Sequence, residues 1–233
     1  MAGVITHMVI AKEIGKRLKE GTIENMGLFY LGNLAPDSIH AREGYIRSYK
    51  KHTHLRDDIP DKDFGREENL NLFHERVAQF ICNNRDRTDG LLDLYRGYVV
   101  HLLTDELFML TVREEFCKKM RELGIEQKDP LFFEYIVTDM NRNDLLLVKE
   151  YKDCEEIRKC IEQVTIRAVE GYLSEKEMYI SRDWLVHQHY YEKYEPAQPS
   201  FITYERMLQF IHMAADDIVN RLSEGGCLPK MLD

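Results

Sequence analysis

Leu94-Tyr95-Arg96-Gly97-Tyr98-Val99-Val100-His101-Leu102-Leu103-Thr104-Asp105-Glu106-Leu107-Phe108 carries the strongest helical signature in this chain. Its apolar residues recur at three- and four-residue spacing. His101 and Asp105 lie four apart, so a helix projects them from one face, one turn apart. Leu94, Tyr98, Phe108 and Val112 share that face, which is therefore expected to point into the core. A carboxylate placed there is costly unless it is paired or holds a cation. A buried His–Asp hydrogen bond meets that requirement as well as a metal ion does, and the motif alone leaves both readings open.

The helical period extends along the chain in both directions, and strict alternation of strand length is hard to find, which predicts an all-α protein. Thr6 is expected to cap a helix through Ile10, Ile14 and Leu18 that Gly21 stops, and Thr22 to cap a second, short one ending at Leu31–Pro36. From Asp37 to about Gly65 the chain is polar without a sustained period and reads as a long loop, of the kind that is uncommon in a compact domain unless it works. Helices are then expected over about 67–83, from an Asp89 cap to about Leu123, and near 130–148, 151–174 and 202–223. Tyr190–Ser200, with two prolines, reads as a connection. The 33 residues beyond it are too few for a second core, which predicts one domain over 1–233.

Composition narrows the function classes. With 233 residues, 44% hydrophobic and 31% charged, the chain is globular rather than disordered. Its 32 basic and 41 acidic residues leave a formal charge of −9, so its own field repels phosphate polymers and no nucleic acid is expected as a stable partner. No segment reaches the roughly 18 apolar residues of a membrane helix. Five cysteines without paired spacing indicate neither a disulfide framework nor a zinc ribbon. The opening Met-Ala-Gly-Val-Ile-Thr-His lacks a basic stretch ahead of an apolar run, so no secretory signal is expected and a cytoplasmic location with reduced thiols is.

Other ligand-type side chains accompany the helix pair. His7 opens the first helix, Asp37 follows Leu31-Gly32-Asn33-Leu34-Ala35-Pro36, and His52 and His54 sit in Lys-Lys-His-Thr-His-Leu-Arg-Asp. Alone, a loop histidine is usually solvated and an aspartate after proline usually a turn residue. Together with His101 and Asp105 they make the imidazole and carboxylate set that zinc uses at hydrolytic sites.

The ordered set Thr6-His7, Leu31–Asp37, Thr53-His54 and Gly97–Asp105 resembles the zinc-dependent phospholipase C family, with S1/P1-type nucleases as more distant relatives. The likeness covers roughly the first 115 residues through motifs and the rest through helical character. It implies an all-α fold with a metal site between helices that hydrolyses phosphodiesters. Position by position it implies His7, Asp37, His54, His101 and Asp105 as metal ligands, with Asp37 also able to act on the attacking water, and it favours His54 over His52 by context. The chain departs from the family in its start, Met-Ala-Gly instead of a ligating tryptophan, and in lacking a His-x3-Glu pair soon after Asp105. His212-x3-Asp216 has similar spacing far downstream. The resemblance therefore implies one or two ions, most simply Zn2+, with iron, manganese and nickel as alternatives for a mixed His/Asp site.

The remaining polar residues carry weaker signals. His74 reads as a surface or packing histidine. His187 and His189 are open between metal binding, a substrate pocket and an aromatic helix end. His40 and Arg42 are open between meeting a phosphate and lying on the surface. Ser38 lacks a GxSxG setting and no cysteine has a histidine placed to activate it, so a covalent nucleophile is not supported. Two functions remain: a metal-dependent phosphoester hydrolase acting on a small phosphoester, and a non-catalytic helical scaffold that holds a metal or binds a partner.

Overall fold

The structure, a computed structural model, describes residues 2–187, 189–191 and 197–232. Among these the fold is all-α, with the helices α1 Val4–Arg17, α2 Met26–Leu34, α3 Arg47–Thr53, α4 Glu67–Asn84, α5 Leu92–Leu110, α6 Val112–Glu122, α7 Pro130–Glu150, α8 Cys154–Gln163, α9 Glu175–His187 and α10 Tyr204–Ser223. An isolated antiparallel bridge joins Val169 to Leu173. Buried apolar side chains from Ala2 to Leu232 form one cluster. Among the described residues no helix is long and apolar enough to cross a membrane.

At the centre α5 packs along α2 with almost no space between the backbones. A Cβ added at Gly32 would lie 1.9 Å from the Leu94 carbonyl oxygen, and one at Gly97 would lie 2.0 Å from that of Phe29. Only hydrogen fits at either contact, so these two glycines set the approach of the helices. The Leu94–Tyr98–His101–Asp105–Phe108 face of α5 is buried, as its period predicts.

Several boundaries differ from the sequence reading, each for a local reason. Thr6 does not cap α1. The cap position is Gly3, and Asp144 of α7 accepts from the Ile5 and Thr6 amides, both at 3.0 Å, and from the Thr6 hydroxyl at 2.9 Å. A carboxylate from a distant helix thus serves the amides and the positive end of the α1 dipole. Asn25, not Thr22, caps α2 through the Leu28 amide. The expected 37–65 loop is largely structured, with 3-10 turns at Ala35–Ala41 and Asp61–Asp63 around α3.

The expected helix from Asp89 to Leu123 is two. Gly90 has a left-handed φ of 77°, α5 starts at Leu92, and Thr111 leaves helical geometry with φ −120° and ψ −86°. The Thr111 hydroxyl donates to the Leu107 carbonyl at 2.7 Å, the back-bonding that bends helices. The expected 151–174 helix ends at Gln163, where the β-branched run Val164-Thr165-Ile166 turns extended. Helix α9 opens on a capping box at Ser174-x-x-Glu177: the Ser174 amide donates to Glu177 at 2.7 Å and the Glu177 amide to Ser174 Oγ at 3.3 Å. The expected connection at 190–200 lies in part outside the described residues.

Candidate metal centre

Four separate segments deliver ligand-type side chains to one buried point. His7 comes from the first turn of α1, Asp37 from the 3-10 turn that Pro36 opens after α2, His54 from the C-terminal cap of α3, and His101 with Asp105 from the middle of α5. They form two overlapping triads, His7–His101–Asp105 and Asp37–His54–His101. All but Asp37 are buried, and the Asp37 side chain is 22% exposed, which makes it the side from which the cluster is reached.

The orientation of the rings is set by backbone carbonyls. His101 Nδ1 donates to the Asn33 carbonyl at 2.8 Å and His54 Nδ1 to the Lys50 carbonyl at 2.8 Å. A carbonyl oxygen only accepts, so each Nδ1 carries the hydrogen and each neutral ring presents its Nε2 lone pair inward. The two Nε2 atoms are 3.2 Å apart. Burial, and for His101 the neighbouring His7, push both imidazoles below their ordinary pKa, so a shared proton is a poor remedy for the facing lone pairs.

Asp105 faces the same point. Its Oδ1 accepts from the Ala2 amide at 3.2 Å and lies 3.3 Å from His7 Nε2; its Oδ2 lies 3.6 Å from His54 and 3.9 Å from His101 Nε2. Burial alone would raise its pKa, but its neighbours, His7 first, hold it below the usual carboxylate range. Both ring nitrogens of His7 and Oδ2 of Asp105 are buried without a hydrogen-bond partner. The His7 and His101 rings stack with centroids 4.0 Å apart. Facing lone pairs, an anionic oxygen and buried nitrogens without partners make a donor set that could hold a divalent transition metal.

The supporting residues are ones the motifs did not single out. Asn33 gives its carbonyl to His101, and its amide donates to the His7 carbonyl at 2.6 Å, tying two ligands together. Lys50 gives its carbonyl to His54 while its ammonium holds Asp37 Oδ1 at 2.5 Å. Burial would raise the Asp37 pKa, but the Lys50 ammonium keeps it well below the usual range, so Asp37 is ionised and a weak proton acceptor. The available signals were an asparagine in an otherwise apolar helix end and a lysine four residues before His54. Thr53 is anchored by its hydroxyl on the Pro36 carbonyl at 2.8 Å and by the Tyr98 hydroxyl on its own carbonyl.

Comparison with protein-family models, curated proteins and solved structures finds no match.

The other histidines stand elsewhere. His52 is exposed, bonded to Asp57 at 2.7 Å and stacked on Tyr172. His74 bonds Glu106 at 2.6 Å. His212 is exposed, 3.6 Å from Glu13, and Asp216 pairs with Arg17. His187 lies 3.7 Å from Asp183, and His189 lies 3.7 Å from Asp144 and packs on Trp184. Arg42 pairs with Glu177 and donates to the Tyr172 carbonyl at 2.8 Å, which ties the 3-10 turn after α2 to α9. Ser38 is buried with its hydroxyl on the Leu34 carbonyl.

Proposed function

We propose that the chain is a divalent-metal phosphoester hydrolase of the zinc-dependent phospholipase C type, with His7, Asp37, His54, His101 and Asp105 as the metal-holding residues. The observation that carries this reading is the pair of Nε2 lone pairs 3.2 Å apart, fixed by two carbonyls and flanked by the orphaned oxygen of Asp105. The two triads share His101, and one nitrogen serves one ion. Asp105 directs Oδ1 toward His7 and Oδ2 toward His54 and His101, and so has an oxygen for each half. One zinc ion, or two, suits this set; iron, manganese and nickel share its ligand chemistry.

A zinc ion there would lower the pKa of water to about 7 and neutralise charge on a phosphoryl group. The chain's own residues do the rest. Asp37, ionised and turned to the accessible side, accepts a hydrogen bond from the attacking water and orients it; its low pKa makes it a positioning acceptor rather than a strong base. Lys50, on Asp37, is placed to meet a phosphate oxygen. The buried wall of His7, His101 and Asp105 keeps bulk water out.

Elemental analysis of protein purified without chelator is expected to give one to two transition-metal ions per chain. Bis-p-nitrophenyl phosphate hydrolysis is expected to vanish with chelator and return with zinc. Activity that survives chelation and Asp105→Asn overturns the proposal, and bound metal with no activity on phosphodiesters, phosphomonoesters or phospholipids favours a metal-holding scaffold.

A further inference from the structure

A cleft of about 390 Å³ meets the edge of the candidate metal centre at His54, the one of its five residues that lines the cleft, with Lys50 beside it. Its two walls differ in chemistry. One is cationic: Arg47, Lys50, Lys51, Arg56 and Arg113 against a single lining carboxylate, Asp61. The other is apolar, formed by Phe132, Phe133, Ile136, Val137 and Met140 along one face of α7. The cleft is thus basic in a chain whose formal charge is −9.

The charges on the basic wall are only partly compensated. Arg47 and Arg56 share Asp61, at 2.6 and 3.1 Å, and Lys50 is matched by Asp37. Lys51 donates to a neutral carbonyl, that of Ile59 at 3.0 Å. Arg113 lies over the Phe132 ring and has no carboxylate within ion-pair distance among the described residues. That surplus exceeds what one phosphodiester charge would balance. The apolar wall, with Phe133 at 66% exposure, offers nothing to a sugar or polar polymer but covers a chain or ring well.

We propose that the cleft binds a terminal phosphate monoester dianion on an apolar body. This rests on the phosphoester reading and names its substrate class. The phosphate lies toward Lys50, Lys51 and Arg113 beside the metal-holding residues, and the apolar body lies along α7. An alkyl chain and an aromatic ring share this chemistry.

Isothermal titration of zinc-loaded protein with decyl phosphate, inorganic phosphate and methyl decyl phosphate, below their micelle concentrations, tests the proposal. Decyl phosphate is expected to bind at least tenfold tighter than either: inorganic phosphate lacks the apolar body and the methyl diester lacks one charge. Arg113→Met is expected to shrink the advantage over the diester, and Phe133→Ser, at an exposed position, the advantage over inorganic phosphate. Naphthyl phosphate in place of decyl phosphate tells ring from chain. The same titrations in chelator read the walls alone, and the order of the three ligands is expected to persist. Equal binding of all three overturns the inference even where metal is bound and bis-p-nitrophenyl phosphate is cleaved. Absence of metal, with the ligand order intact, overturns the metal reading and leaves the cleft assignment standing.

Discussion

Asp105 and Glu106 are consecutive on α5, carry the same charge and are equally buried, at 3% exposure each, yet their surroundings differ in kind. Glu106 is closed by the protein's own donors: His74 at 2.6 Å, and Arg221 of α10 at 3.0 Å to one oxygen and 3.3 Å to the other. Asp105 meets three imidazoles and the Ala2 amide, and its second oxygen has no hydrogen-bond partner. No arginine or lysine reaches it by any ion pair among the described residues. A buried carboxylate balanced by a guanidinium is structural, because the fold completes it. One that faces imidazoles alone has no permanent opposite charge beside it, which is the setting a cation could fill.

The largest expected effect breaks the closed network. Arg221→Ala leaves the buried Glu106 charge with His74 alone and is expected to cost about 3–5 kcal/mol in urea unfolding. Asp105→Asn, measured with chelator present, is expected to cost less than Arg221→Ala, since it strands no partner charge in the fold. A loss as large as that of Arg221→Ala would place the two sites in one class. The second effect reverses the pattern. Zinc at a hundredfold over its Kd adds about 2.7 kcal/mol, or about 5–10 °C in Tm for a chain of this size. Arg221→Ala is expected to keep that increment and Asp105→Asn to lose it, and differential scanning calorimetry reads both.

A finer test separates the two neighbouring histidines on α3. His54→Ala is expected to weaken zinc at least tenfold in a competition titration and His52→Ala to stay within twofold; the opposite order would make His52 the ligand. The smallest effect is in pH. Burial raises the Glu106 pKa, but His74 and Arg221 hold it below the ordinary value, so it lies lower folded than unfolded, where it is about 4.3. Its stabilisation is therefore present above about pH 4.3 and lost as the pH falls through the folded value. The stability gap between the unaltered chain and Glu106→Gln is expected to narrow from pH 6 to pH 3; a gap that widens contradicts this.

Much of the frame was legible locally. The period of Leu94, Tyr98, His101, Asp105 and Phe108 specified a helix and its buried face, because side chains four apart share a face whatever surrounds them. Less legible were the ends. The Asp144 cap of α1 comes from 138 residues away, and α3 carries too few residues for a period to emerge from a polar stretch. Asn33 and Lys50 were invisible as site residues because much of their work is done by carbonyl oxygens, which every residue has.

The helical class and five side chains of metal-ligand type can be read from the sequence alone. That these five meet, that His54 turns inward while His52 stacks on Tyr172, and that Glu106 pairs with an arginine while Asp105 faces imidazoles are settled by packing between helices. Spacing sets which face of its own helix a residue occupies. The direction of an imidazole lone pair, and the partner of a buried charge, are set by groups on other helices, brought into reach here by backbones in contact at Gly32 and Gly97.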